Sequence, residues 1–259
     1  MLSKILFLFL LSIPIFAFAE QDKKPGEFYQ ITVYHFSTAE QQQLIEQYLK
    51  DAYVPALHRQ KIKNVGVFTL IANDTAKDKR IYVIIPLKSL QQFSEITTRL
   101  ISDNDFQSNG KPYLDVAYKT PPYSRIENIL AQAFPLAPFL NLPTLTGPRN
   151  ERVYELRSYE SATEKIFANK VKMFNEGGEI ALFKQLNFNA VFYSSVIAGG
   201  NMPNLMYMTS FENMADRDAH WKSFGSAPEW KKMSGLPEYQ NNVSKNTALF
   251  LRSTAYSDY

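Results

Sequence analysis

Six side chains in the second half of the sequence have types and spacings that could do chemistry: Glu155, Arg157, Tyr159, Tyr207, His220 and Trp221. Alternate residues of an extended strand face the same way. Within Arg152–Tyr159, Val153, Glu155, Arg157 and Tyr159 therefore share one side, and Tyr154, Leu156 and Ser158 share the other. An isolated charge on a buried side would be costly, so Glu155 and Arg157 are expected to pair with each other, with water or with an anionic ligand. Arg157 could hold an acidic or carbonyl group through charge-assisted hydrogen bonds. His220 is the only histidine of this half and could exchange a proton near neutral pH. Glu155 is the other candidate proton acceptor, with Arg157 or Tyr207 placed to steady developing negative charge. Trp221 and Phe224, three residues apart, share a helical face expected to pack on a sheet.

Several other chemistries lack their residues. The chain has three histidines, no cysteine and no HxH or HxxxH spacing, so no metal site is expected and no disulfide is possible. No GxGxxG or GxxxxGK follows a strand pattern, no GxSxG occurs, and no cofactor is implied. Gly177–Gly178 falls inside a helical pattern and reads as a helix break.

The elements that must position these groups are legible because the chain repeats itself. Tyr29–Tyr34 reappears as Tyr154–Tyr159, and Phe68 and Tyr82 find counterparts in Phe192 and Tyr207, at spacings of 124 or 125 residues. A repeat that long is a small domain rather than a solenoid unit. In the second copy, hydrophobic periodicity predicts a strand over Arg152–Tyr159, then a helix through Ile166, Val171, Phe174, Ile180, Phe183 and Leu186. Strands over Ala190–Ile197 and Leu205–Phe211, a helix over Asn213–Phe224 and a last strand over Thr247–Tyr256 follow. The first copy fits the same order: strand Phe28–Phe36, helix Thr38–Gln60, strands Val65–Ile71 and Ile81–Leu87, helix Ser89–Ser102, and a strand near Tyr123–Phe134.

That order, βαββαβ twice, predicts an α+β fold of tandem ferredoxin-like modules. Each module leaves one sheet face bare, so the two are expected to join these faces into a barrel-like arrangement within one chain. The expected divisions are a signal peptide at 1–19, a first module at 20–134, a Pro-rich linker at 135–150 and a second module at 151–259. If Tyr154 and Leu156 meet the helices, Glu155 and Arg157 point into the space between the sheets, a natural pocket.

Lys4, the apolar run Ile5–Phe18 and the small-x-small motif Ala17-Phe18-Ala19 form a secretory signal. The run is too short for a comfortable membrane span, and no second one approaches spanning length after cleavage. The protein is expected to be exported, as a periplasmic or secreted protein. With 28 basic and 25 acidic residues the formal net charge is +3, which gives no electrostatic case for nucleic acid.

Arg152–Tyr159, Phe174-Asn-Glu-Gly-Gly178, Tyr207-Met-Thr-Ser-Phe211 and His220–Phe224 through Pro228-Glu-Trp230 resemble the NIPSNAP family of the dimeric α+β barrel superfamily. The resemblance covers about 105 residues, from Arg152 to near Tyr256. The first module lacks the opening-strand Glu and Arg and has no tryptophan. The resemblance implies the barrel fold and leaves the reaction open; barrel relatives include monooxygenases and haem-handling proteins acting on aromatic or apolar compounds. The expectation is a binder of a small apolar or acidic ligand, as monomer or homodimer, with Glu155, Arg157, Tyr159, Tyr207 and Trp221 at the site. The alternatives are a monooxygenase-like or isomerase-like barrel enzyme using His220 or Glu155, and a structural or protein-interaction role.

Overall fold

The computed structural model describes residues 26–259; the expected signal segment at 1–19 lies outside them. The first half contains β1 (Phe28–Phe36), α1 (Ala39–Tyr48), a π-helical turn (Leu49–Tyr53), α2 (Val54–Arg59), β2 (Gly66–Leu70), β3 (Lys79–Leu87), α3 (Leu90–Ile101), α4 (Asn104–Leu114) and β4 (Arg125–Ala133). The second contains β5 (Val153–Glu160), α5 (Glu164–Asn175), α6 (Glu179–Gln185), β6 (Asn189–Ala198), β7 (Asn204–Phe211), α7 (Met214–Ser226), α8 (Pro228–Ser234) and β8 (Lys245–Ser253). Side-chain caps start the corresponding helices in the same way. Thr38 and Thr163 accept from the backbone N–H groups of Gln41 and Ile166, as Ser89 and Asn213 do from Gln92 and Asp216.

The eight strands of the described residues close into one antiparallel barrel in the order β1-β3-β2-β8-β5-β7-β6-β4. Two seams join the halves: β2 with β8, where Phe68 lies opposite Ser253, and β4 with β6, where Ala133 lies opposite Ser194. Closure removes the free sheet edges that would otherwise invite association. The interior is filled by residues from both halves, among them Tyr29, Ile31, Phe68, Ile84, Tyr154, Leu156, Phe192 and Met208. Tyr29 meets Phe192, and Phe68 meets Tyr154, each with ring centroids 4.9 Å apart. Burying Phe68 and Phe192 contributes about 1.5–3 kcal/mol apiece. Two further cores lie outside the barrel, one between the sheet and α1–α4, the other between the sheet and α5–α8.

This arrangement corrects the expected direction of the opening strand. Tyr154 and Leu156 face the barrel interior, and Glu155, Arg157 and Tyr159 face the helices. Both faces of β5 are buried, so apolarity alone did not decide which one met the helices. The polar face lies where α7 supplies partners for Glu155, while Tyr154 and Leu156 fill the barrel interior. The space between the sheets is thus packed core.

Register refines the repeat. Tyr207 lies opposite Arg157, whereas Val83 lies opposite Thr32, the counterpart of Arg157. Tyr82 is one position away and points into the barrel, away from the side on which Tyr207 lies. Asn128 pairs with Thr32 and Ala248 with Arg157, so the last strands correspond at a spacing of 120 residues rather than 125. Helices α4 and α8 occupy segments without an expected helix; Pro112 within α4 and Pro228 at the start of α8 disguised them. The expected break at Gly177–Gly178 separates α5 from α6, with Gly178 in the left-handed region at φ 97°.

Candidate functional site

The outer face of β5 and the helices over it enclose a cavity of about 390 Å³. Arg157 and Tyr159 form its floor, Lys170 and Glu179 one wall, and Trp221, Phe224 and Trp230 the roof. Both tryptophans of the chain line it.

Beneath the floor, Glu155 is fully buried. Arg217 clamps it bidentately, with Nε and Nη2 each 2.9 Å from a carboxylate oxygen. The Trp221 indole N–H donates to it at 2.6 Å. Arg157 Nε lies 3.3 Å from the same carboxylate but makes no hydrogen bond there. Three donors thus converge on Glu155, which makes it an anchor for α7 rather than a free base.

The Arg157 guanidinium stacks 4.2 Å from the Trp221 ring and donates to the Tyr159 hydroxyl at 3.1 Å. Tyr159 and Tyr207 share a hydrogen bond of 2.8 Å. Burial pushes the Tyr159 hydroxyl up to about 12, although Arg157 pulls the other way, and burial lifts Tyr207 further. Both are neutral phenols at ordinary pH. Burial opposes the charge of Arg157, but Tyr207, Tyr159 and Glu155 outweigh it and raise its value.

Lys170 and Glu179 form a buried ion pair at 2.8 Å, both nearly without solvent exposure. The ammonium lies 4.7 Å from the Phe174 ring, with Tyr159 and Trp230 within 6 Å. Burial raises the Glu179 carboxyl above its ordinary 4.5, against the pull of Lys170. The cavity wall therefore carries two cations and one anion. Arg217 is shared between Glu155 and Asp218, so Arg157 is the second cation facing Glu155, paired with it at 3.3 Å without a hydrogen bond.

Of the residues singled out from sequence, Arg157, Tyr159 and Trp221 meet at the cavity, while Glu155 and Tyr207 support them from below. His220 does not join them. Its Nδ1 lies 2.9 Å from the Asp216 carbonyl and 3.1 Å from the Asp216 carboxylate, with its ring against Phe188 and Phe211. Lys170, Glu179 and Arg217 are not among the residues singled out, and Trp230 enters only through the motif Pro228-Glu-Trp230. Lys170 lies four residues from both Ile166 and Phe174, and Arg217 four before Trp221. A charge on an apolar helical stripe was thus the available signal.

Residues 154–258 match the NIPSNAP family, and every residue lining this cavity falls within that match. Over most of its length the chain is similar in fold to a candidate monooxygenase of Lactobacillus acidophilus, with 12% identity, a TM-score of 0.54, and coverage of 88% of this chain and 94% of that one. A candidate monooxygenase of Fusobacterium nucleatum gives 8% identity, a TM-score of 0.55, and coverage of 88% and 93%. An anthrone oxidase-like protein gives 10%, 0.51, and coverage of 90% and 92%. At these identities the likeness is one of fold. No curated protein is significantly similar to the chain.

Proposed function

We propose that this is an exported protein of two tandem ferredoxin-like modules whose NIPSNAP domain binds a small aromatic compound carrying one negative charge. The observation that carries this reading is the Arg157 guanidinium, stacked on Trp221 in an aromatic-lined cavity with its Nε making no hydrogen bond. A planar ring would pack against Trp221 and Trp230, and a carboxylate or phenolate would complete the hydrogen bonding of Arg157. A volume of about 390 Å³ suits a compound of one to three rings. Because both tryptophans line the cavity, their fluorescence reports its occupancy directly. Titration with 2-naphthoate should quench or shift that emission. Arg157→Ala should weaken binding by about 10–100-fold, the worth of one charge-assisted hydrogen bond, and His220→Ala should leave it unchanged. Equal affinity in wild type and Arg157→Ala would sink the proposal.

A catalytic role is the second reading, supported by the Tyr159–Tyr207 hydroxyl pair contacting Arg157. Such a pair could stabilise an enolate or phenolate as charge develops. The fold likeness to candidate monooxygenases agrees with this reading. Mass spectrometry of a bound compound after incubation in air separates the two. Conversion that disappears in Tyr159→Phe establishes catalysis, and a compound recovered intact leaves binding.

A further inference from the structure

The first half holds a cavity in the same place with opposite chemistry. Thr32 stands between Val83 and Asn128 as Arg157 stands between Tyr207 and Ala248, so Gln30, Thr32 and Tyr34 replace Glu155, Arg157 and Tyr159. Thr97 lies eight residues after the cap Ser89, as Trp221 lies eight after Asn213; Phe93 likewise replaces Arg217. Between the outer sheet face and α3–α4 these residues line about 480 Å³, and no charged side chain is among the lining.

The polar part of this cavity is built. Gln30 and Thr32 are 8% and 4% exposed. Gln30 Nε2 donates to Thr32 Oγ1 and to Asn128 Oδ1, each at 3.1 Å, and Thr32 Oγ1 donates to Asn128 Oδ1 at 2.7 Å. These bonds leave the Gln30 carbonyl as an acceptor and the Asn128 amide nitrogen as a donor for a guest. Opposite them Tyr48 stacks 3.9 Å from Tyr113 and 5.7 Å from Tyr53. Burial raises the hydroxyls of Tyr34, Tyr48 and Tyr53, so each stays neutral at any ordinary pH. An anion entering here would lose hydration with no cation to meet it, whereas a neutral ring bearing a hydroxyl or carbonyl would find an aromatic lining and hydrogen-bond partners.

We propose that this first-half cavity is a second binding site, selective for neutral planar compounds bearing a hydroxyl or carbonyl. It does not depend on the anion reading of the NIPSNAP-domain cavity.

The test is calorimetric titration of the full chain at pH 7 with 2-naphthol, which is neutral there, in the presence and absence of saturating 2-naphthoate. The expected result is naphthol binding that naphthoate does not displace and that persists in Arg157→Ala. Thr97→Trp, which fills the mouth from an exposed position, should weaken it about tenfold or more. Asn128→Leu, which removes the acceptor shared by Gln30 and Thr32, should weaken it similarly and lower the melting temperature, whereas Thr97→Trp should leave the melting temperature near that of wild type. No naphthol binding, displacement by naphthoate, or indifference to both first-half substitutions would each overturn the proposal. Failure of naphthoate alone would count only against the anion reading.

Discussion

Glu155 shows how far a residue's role depends on what faces it. A buried carboxylate with three converging donors is held in place, and its charge is spent on Arg217 and Trp221. The Lys170–Glu179 pair poses a sharper question, because burying both ions costs nearly what their attraction returns. Lys170→Met should cost about 3–5 kcal/mol at pH 7 by leaving Glu179 unpaired, and Lys170→Met with Glu179→Leu should recover most of that; urea unfolding of the three variants measures it. The pH dependence has a definite sign. The folded state holds the Glu179 proton more tightly than the unfolded chain, so this contribution is complete below pH 4.5 and fades as pH rises through the lifted value. Glu179→Gln should flatten that decline, and the penalty of Lys170→Met should shrink in acid. The opening-strand alternation was legible from sequence, as were Arg157, Tyr159 and Trp221. The direction of that face was not, because a strand buried on both sides gives no contrast between core and solvent.

Among the elements, strands and capped helices could be read from period and cap chemistry, and β1 has the expected bounds, Phe28–Phe36. What escaped were α4 and α8, where prolines mask short helices, and the one-residue offset that sends Tyr82 and Tyr207 to opposite faces. The period of a strand is two, so a single slip reverses every side chain. The break between α5 and α6 is set by one residue: Gly178 takes φ 97°, and a Cβ there would meet nothing within 4 Å. Gly178→Ala is therefore opposed by backbone strain alone and should cost about 1–2 kcal/mol. Because α6 begins at Glu179, the same change should loosen its pairing with Lys170, visible as faster exchange of the α6 backbone amides.

For the whole molecule, closure of the barrel is the governing fact. The interior core draws on both halves, so neither half alone covers its own inner face. Residues 151–259 expressed alone should expose Tyr154, Leu156, Phe192 and Met208 and should self-associate; light scattering should show a dimer or larger species and no stable monomer. The full chain, with its edges joined at two seams, should remain monomeric under the same conditions.

Joining the halves covalently has a further consequence for inheritance. In a ring made from two identical subunits, every substitution is made twice, and a change that harms one pocket harms its mate. Here the codons for Thr32 and Arg157 are separate. Either cavity can change its lining independently of the other, while the shared interior keeps both halves folded.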